Sequence, residues 1–321
     1  MKFRVFLLLL ALVSGRGVAA PDDFSAAKRL AQRIYSDETQ TFYCGCPLRW
    51  QGGKGIPDLK SCGYQVRKNG PRAQRIEWEH VVPAHQFGKG LACWKQGGRE
   101  QCGQSDDRFQ QMEANLFNLK PAIGEVNGDR ANFAFALLPD TPPQHGACPF
   151  RVDFKRQLAE PRAEVRGDIA RIYFYMADRY QLELATAQQQ LLLSWHQQDP
   201  VDERELQLQQ RIAQQMGHAN LFVTGQREWY QGYPSGTRFG PRSDDPVTRE
   251  TAEQQPKAPS LATPITLIHS EKSQVLGNKN SQLYHLAHCP GYQQVSQKNQ
   301  RWFSSVAAAE QAGYRRAKNC K

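Results

Sequence analysis

The stretch that decides the fold is Arg75–Phe87, RIEWEHVVPAHQF, in which Glu79 stands directly before His80. Its β-branched and aromatic residues predict a strand. Successive side chains of an ideal strand point to opposite faces, so these two side chains could not both face one pocket from its middle. Pro83 is disfavoured inside a central strand and is typical of a strand end or bulge. We therefore expect Glu79 and His80 where a strand gives way to a loop.

The chemistry of this pair has more than one interpretation. A neutral histidine can act as a base near pH 7, and carboxylate or amide oxygens suit a hard divalent cation. Phosphodiester hydrolysis needs both functions. A solvated glutamate beside a buried neutral histidine is the structural alternative, and the residues alone do not decide between the two. A zinc protease is disfavoured, because His80 and His85 are five positions apart, unlike the histidines of HExxH, and Pro83 lies between them.

The first twenty residues, MKFRVFLLLLALVSGRGVAA, predict a signal peptide over residues 1–20. Lys2 and Arg4 form a basic start, an apolar core follows, and small residues precede a cleavage point near Ala20. The apolar run is well short of the roughly 20 residues that a spanning helix needs. We expect a periplasmic or secreted protein without stable membrane insertion.

The eight cysteines are an even number in a chain predicted to be exported, which predicts disulfide bonds. Cys44 and Cys46 are too close to pair comfortably with each other, so each is expected to reach elsewhere. A metal site is disfavoured among the first six, since no CxxC pair with a matching second pair occurs. The candidates are Cys44, Cys46, Cys62, Cys93, Cys102, Cys148, Cys289 and Cys320.

Composition divides the chain into unequal parts and predicts an α+β fold. We expect a helix near residues 22–38, loops and short strands over 44–102, and a helix with Ser105 as its N-cap. An apolar stretch ends at Pro121, after which GEVNGDR is expected to form a turn leading into a helical run through Phe135. Residues 160–216 are strongly helical in pattern, and residues 236–264 have the composition of a flexible linker.

The formal charge of +10 is concentrated at the C-terminus, where residues 275–321 hold seven basic side chains against Glu310 alone. A basic exported protein suits a polyanion such as nucleic acid or an anionic surface, although net charge by itself is a weak indication.

Two long segments, RIEWEHVVPAHQFG and MEANLFNLKPAIGEVNGDRANFAF, closely resemble the bacterial endonuclease I family, as does the cysteine-rich connection between them. The resemblance covers roughly residues 22–232 and implies a mainly helical nuclease domain, residues 21–235, with a ββα-metal core. In that family two strands and a helix grip one Mg²⁺ or Ca²⁺, and Mn²⁺ is a further candidate. By this resemblance His80 is the general base, and Glu79 and Asn127 are the metal ligands.

Further residues enter by the same resemblance. Arg99, expected in a loop between Cys93 and Cys102, would contact the cleaved phosphate, and Glu113 would orient a neighbour. Asn118 is a candidate for orienting the histidine and Arg130 a candidate phosphate ligand, with structural roles as their alternatives.

The resemblance implies a monomeric, sequence-non-specific endonuclease that cuts DNA, and also RNA, to 5′-phosphate products. The competing hypothesis is a non-catalytic protein that captures DNA for uptake. Only the enzyme accounts for a base, two hard-metal ligands and a phosphate-binding arginine in one ordered set.

Residues 265–321 form a second, smaller α+β module that resembles the metal-binding module of the Ada DNA-repair protein. The four cysteine positions of that module correspond here to His285, Cys289, Ala317 and Cys320. Because Ala317 cannot bind metal, a Cys289–Cys320 disulfide is favoured over a Zn²⁺ site. Tethering to DNA and a generic stabilising or adhesive role both remain open for the module.

Overall fold

The computed structural model describes residues 20–233, 275–286, 289, 291–303, 306–318 and 320. The chain divides into two compact units, Met1–Glu253 and Gln254–Lys321. The predicted signal peptide, apart from Ala20, and the predicted linker lie outside the described residues. Within the described ranges, no helix has the length and apolarity needed to cross a bilayer.

The first half of the larger unit alternates short strands and short helices. Its elements are α1 (Phe24–Ile34), β1 (Leu48–Gln51), β2 (Lys54–Pro57), α2 (Gly70–Ala73), β3 (Ile76–His80), α3 (Ala84–Gly88), α4 (Ala92–Ser105), α5 (Asp107–Glu113), β4 (Leu119–Ile123) and α6 (Gly124–Arg130). The helix expected near residues 22–38 is α1, which begins after Asp23, whose carboxylate accepts a hydrogen bond from the Ala26 amide.

The second half is mainly helical, as expected for residues 160–216. It contains β5 (Ala134–Phe135), β6 (Arg151–Asp153), β7 (Leu158–Glu160), α7 (Arg166–Tyr180), α8 (Thr186–Gln198) and α9 (Glu203–Met216). Most of α7 is buried, including Phe174 and Met176, so it forms the centre of the core. After Pro200 a new helix, α9, begins. Its N-cap is Asp202, whose carboxylate accepts a hydrogen bond from the Glu205 amide.

A two-stranded antiparallel sheet and the helix after it form the ββα unit of the fold. In β3 and β4, Glu79 lies opposite Lys120 and His80 opposite Leu119. Helix α6 begins at the residue directly after β4, so no loop separates them. The α+β prediction with a ββα core is confirmed.

Strand β4 differs from the expectation at Pro121, which lies inside the strand and not at its end. A proline lacks the N–H that a central strand must donate, but within the described residues β4 pairs with β3 alone, so Pro121 removes no bond from a second ladder. The segment GEVNGDR is itself the helix α6. This helix stops at Arg130 because Ala131 adopts a φ of 49°, which cannot continue it to Phe135.

The segment between Cys93 and Cys102 was expected to be a loop, and that expectation is wrong. It belongs to α4, which is broken at Gly97 and Gly98. Gly98 has a φ of 67°, a conformation that glycine adopts without steric cost. A disulfide joins Cys93 to Cys102 across this break.

The expected N-cap Ser105 is the last residue of α4. The cap of α5 is instead Asp106, whose carboxylate accepts from the Phe109 amide at 2.8 Å. The aspartate takes the cap because its own backbone is extended, whereas the backbone of Ser105 is still helical.

Disulfides tie the irregular segments of the larger unit together. Besides Cys93–Cys102, the pairs are Cys44–Cys148 and Cys46–Cys62. The neighbouring cysteines 44 and 46 thus reach different partners. The Cys44–Cys148 bond joins residues 104 positions apart, so it lowers the conformational entropy of the unfolded chain.

The smaller unit contains a four-stranded sheet with the order β10-β8-β9-β11. Its elements are β8 (Val275–Asn278), β9 (Leu283–Leu286), β10 (Gln300–Phe303), α10 (Val306–Gln311) and β11 (Arg315–Arg316). Val275, Tyr284, Ala309 and Tyr314 form its core. Cys289 is bonded to Cys320 beside the buried Ala317.

Candidate active site

A cavity of about 250 Å³ opens at the end of β3 against α6. It brings together four residues that the sequence singled out, namely Glu79, His80, Arg99 and Asn127. The other lining residues are Trp78, Pro83, Ala84, His85, Trp94, Ala131 and Asn132. Glu113 is not part of the wall, but it contacts two of the four residues.

Glu79 is buried, with a relative exposure of 3%. One carboxylate oxygen, Oε1, accepts from the Tyr43 hydroxyl at 2.7 Å and lies 3.2 Å from Nε of Arg130. Burial raises the pKa of Glu79 to about 7, against the opposing effects of Arg130 and Tyr43. The contacts fix Oε1 and leave Oε2 as the oxygen for a further partner.

His80 is held by a backbone carbonyl. Its Nε2 lies 2.8 Å from the Glu113 carbonyl oxygen, and the Phe24 ring centroid is 4.7 Å from the imidazole. A carbonyl only accepts hydrogen bonds, so Nε2 carries the proton and Nδ1 is the basic nitrogen of the neutral ring. Burial lowers the pKa of His80 to about 3, and the positive charges of Arg99 and Arg130 act in the same direction.

Arg99 stands in the second part of α4, directly after the glycine break, and its side chain is 48% exposed. Its Nε donates to Oε1 of Glu113 at 2.6 Å. Glu113 therefore binds His80 through its backbone and Arg99 through its carboxylate. It connects the base candidate to the phosphate-binding candidate, in keeping with the orienting role that the resemblance implies.

Asn127 lies in α6 and is oriented by Glu77. Its Nδ2 donates to Oε2 of Glu77 at 3.2 Å. The amide carbonyl, Oδ1, is therefore on the other side of the group from Glu77.

Asn118 and Arg130 have structural roles. The Asn118 side chain accepts from the Val82 amide at 2.7 Å and donates to the Val82 carbonyl at 2.9 Å, which fixes the segment after His80. Arg130 is fully buried and donates to the Val81 carbonyl at 2.6 Å. A buried guanidinium cannot reach a phosphate in solution, so Arg130 is not the phosphate ligand that the resemblance allowed.

Tyr43 and Glu77 belong to the site and were not identified from the sequence. Tyr43 reaches Glu79 across 36 positions, and no local pattern indicates such a contact. Glu77 could have been found, because residues two apart in a strand share a face and it precedes Glu79 by two.

The donor atoms fit a hard divalent cation. Oε2 of Glu79 and Oδ1 of Asn127 are oxygens of the type that Mg²⁺ prefers, and Mg²⁺ is commonly held by one or two carboxylates with waters and substrate phosphates. No cluster of three or more His, Cys, Asp and Glu side chains arranged for metal binding occurs in the part of the chain that the structure describes.

Comparison with known proteins adds evidence that is independent of the site geometry. The family model described as Endonuclease I matches residues 24–226. An "Extracellular deoxyribonuclease" of Aeromonas hydrophila is 49% identical over 226 residues, which cover 69% of this chain and 99% of the relative. A "Periplasmic deoxyribonuclease" of the same organism is 48% identical over 204 residues, 63% of this chain and 86% of the relative. These locations and the disulfides agree with the predicted periplasmic or secreted location.

More distant similarity extends to a different nuclease. An "Extracellular ribonuclease" of Bacillus subtilis (strain 168) is 31% identical over 132 residues, 36% of this chain and 44% of that protein. The smaller unit matches a different family from the one expected. The model for residues 269–316 is that of ArfC, which replaces the Ada resemblance.

Proposed function

Because this chain belongs to the endonuclease I family, we propose that it is an exported, Mg²⁺-dependent endonuclease that hydrolyses phosphodiester bonds of DNA without sequence preference. The observation that carries the proposal is the hydrogen bond from His80 Nε2 to the Glu113 carbonyl. It leaves Nδ1 as the basic nitrogen of a histidine that lines a cavity with Glu79, Arg99 and Asn127.

His80 is the general base in this proposal. Its lowered pKa keeps the imidazole neutral at neutral pH, so Nδ1 can accept a proton from the attacking water. A bound phosphate opposes the positive field of Arg99 and raises the pKa toward the range where proton transfer is efficient. The Glu113 carbonyl holds the ring in the tautomer that this step requires.

Arg99 binds the phosphate. Its side chain is half exposed and lines the cavity. Only Nε donates to Glu113 in that hydrogen bond, so the two terminal nitrogens are left to donate to a phosphate. A guanidinium contacts two phosphate oxygens at once.

Glu79 and Asn127 would hold the cation through Oε2 and Oδ1. When bound, Mg²⁺ supplies electrostatic stabilisation of the charge that develops on the phosphate and the leaving 3′ oxygen. Cleavage on that side gives a 5′-phosphate product. Glu79 is kept in place by Tyr43 and Arg130, so the carboxylate has little freedom to turn away.

DNA is the proposed substrate because relatives that match most of the domain, including the two described above, are named deoxyribonucleases. RNA is a second substrate in the proposal, supported by the more distant relative named a ribonuclease. The candidate residues contact phosphate and metal and not base edges, so we expect little sequence preference and a steep salt dependence.

Incubating supercoiled plasmid with the full-length protein tests the proposal. We expect nicked and linear DNA with Mg²⁺ and intact plasmid with EDTA, and the same pattern with a structured RNA. A protein that captures DNA without cutting it would retain intact plasmid under both conditions.

The smaller unit is proposed as an electrostatic tether. Arg315 and Arg316 are exposed on the edge strand β11, and Lys279, Lys298, Arg301 and Lys318 are exposed elsewhere on the unit. Removing residues 265–321 and measuring DNA affinity across salt concentrations tests this role. We expect a shallower dependence of affinity on salt, and an unchanged slope would leave the stabilising alternative.

A further inference from the structure

One face of β3 contacts one face of α6 beside the cavity, through two pairs of side chains. Glu77 and Glu79 share a face of β3 because they are two positions apart. Asn127 and Arg130 share a face of α6 because they are three apart. Asn127 bonds to Glu77, and Arg130 pairs with Glu79. The strand thus contributes a second carboxylate, and its role is not explained by the reaction described above.

Glu77 is immobilised by two arginines. Its Oε1 accepts from Arg72 Nε at 3.0 Å and from Arg75 Nη2 at 2.9 Å, while Arg72 Nη2 also donates to Oε2. The carboxylate is thus gripped in a fixed orientation, and its Oε2 is the atom that meets Asn127.

Two glycines of α6 make room for this group. A Cβ on Gly128 would lie 2.2 Å from Arg72 Nη1, and a Cβ on Gly124 would lie 2.9 Å from Glu77 Cδ. Neither distance is sterically possible. The Arg72–Glu77 pair therefore packs directly on the helix that carries Asn127, and a side chain at either glycine would push it away.

The contact determines which atom of Asn127 is available. An amide offers an NH₂ donor on one side and a carbonyl acceptor on the other, and a carboxylate only accepts. Glu77 therefore takes the NH₂ and leaves Oδ1, the only amide atom that a hard cation binds. Without Glu77 the amide could rotate and present its NH₂ to the cation.

We propose that Glu77, gripped by Arg72 and Arg75, is the positioning residue that presents Oδ1 of Asn127 to the cation. This inference rests on the proposed metal-dependent function. Glu77 binds neither substrate nor metal in it. Its effect is to fix the orientation of a ligand, as outer-shell carboxylates do for other metal ligands.

The first test is Glu77→Gln in the full-length protein, with Mg²⁺ alone titrated by calorimetry in the absence of nucleic acid. We expect Mg²⁺ affinity to fall by about 10- to 100-fold. The Mg²⁺ concentration for half-maximal cutting should rise in parallel, with kcat at saturating Mg²⁺ nearly retained. The matched control is Asp153→Asn, which removes a carboxylate bonded to Arg156 at the surface and should change the affinity less than about twofold.

A reversed pair tests orientation directly. In Glu77→Gln combined with Asn127→Asp, the glutamine NH₂ can donate to the new aspartate, which restores the bond with donor and acceptor exchanged. Because an aspartate at position 127 is itself a strong cation ligand, the reference for the double variant is Asn127→Asp alone. We expect Glu77→Gln to weaken Mg²⁺ binding far less in the Asn127→Asp background than in the wild type. A purely structural role for Glu77 predicts the same loss in both backgrounds, and equal losses would overturn the inference.

Arg72→Lys is the second variant, to be used if Glu77→Gln does not fold. Lysine keeps the positive charge but cannot donate to both carboxylate oxygens of Glu77 as the arginine does. Weakened Mg²⁺ binding in this variant supports the inference. Unchanged Mg²⁺ affinity in Glu77→Gln overturns the inference and leaves the proposed function intact. The same outcome in Arg72→Lys has that meaning if Glu77→Gln does not fold. A wild-type protein that neither binds Mg²⁺ nor cuts DNA overturns both.

Discussion

Two arginine–glutamate pairs lie near the candidate base, and they differ in solvent exposure. Arg130 and Glu79 have side-chain exposures of 0% and 3%, whereas Arg99 is 48% exposed against 11% for Glu113. The same two residue types thus make a wholly buried pair and a pair open on its arginine side. The difference indicates that Arg130 holds the Glu79 carboxylate in place, whereas Arg99 is accessible to a phosphate that enters the cavity.

The strongest test of this comparison removes His80, which follows Glu79 in β3 and bonds to the Glu113 carbonyl. We expect His80→Ala to lower the rate of plasmid cutting by about 10²- to 10⁴-fold, the contribution of a general base. Mg²⁺ affinity, measured by calorimetry, should stay near that of the wild type. His85→Ala is the matched variant, because His85 lines the same cavity without the bond to Glu113, and an equal loss there would contradict the role of His80.

The second test breaks the buried pair. Arg130→Met leaves the Glu79 carboxyl buried without its arginine, and we expect a loss of about 3–5 kcal/mol in the free energy of unfolding. Chemical denaturation followed by circular dichroism measures it. A loss no larger than that of Arg99→Met would remove the distinction between the pairs.

The third test breaks the exposed pair. Arg99→Met should lower kcat/KM by about 10²- to 10³-fold, as the loss of one donor to a developing charge does. Its unfolding free energy should change by less than about 1 kcal/mol, because exposed ion pairs contribute little. Steady-state kinetics and denaturation on the same preparation give both values, and a destabilised but fully active variant would reverse the assignment.

The fourth test uses the pH dependence of the Mg²⁺ requirement to examine Glu79 of the buried pair as a metal ligand. Burial raises the pKa of Glu79 to about 7, so the carboxyl is protonated below that pH, and the proton must leave before a cation binds. The Mg²⁺ concentration for half-maximal cutting should therefore be about tenfold higher at pH 6 than at pH 8. Thermal melting at both values shows that the protein is folded, and an equal requirement for Mg²⁺ would exclude Glu79 as the titrating ligand.

Local patterns predicted the elements that are marked by their own residues. The helix near residues 22–38, the helical region 160–216 and the strand carrying Glu79 and His80 were all expected from short stretches. Pro83, however, does not end that strand. Strand β3 ends at His80, and Pro83 precedes α3 as its N-cap residue.

The errors arose where distant parts of the chain decide the outcome. Pro121 stays in a strand because β4 has a single partner, which no local pattern can indicate. The second part of α4, which carries Arg99, forms across a glycine break that a disulfide spans. Tyr43 and Arg130 complete the surroundings of Glu79 from 36 positions before it and 51 after it, so their contacts follow only from the assembled core.

The direct passage from β4 into α6 limits where this protein can change its length during evolution. One residue inserted between Ile123 and Asn127 would turn Asn127 about 100° around the helix axis, away from Glu77 and the cavity. The exposed turn at Gly52 and Gly53, between β1 and β2, carries none of the candidate residues, so it can absorb insertions. Natural variants should therefore tolerate changes of length in that turn and not in residues 119–130.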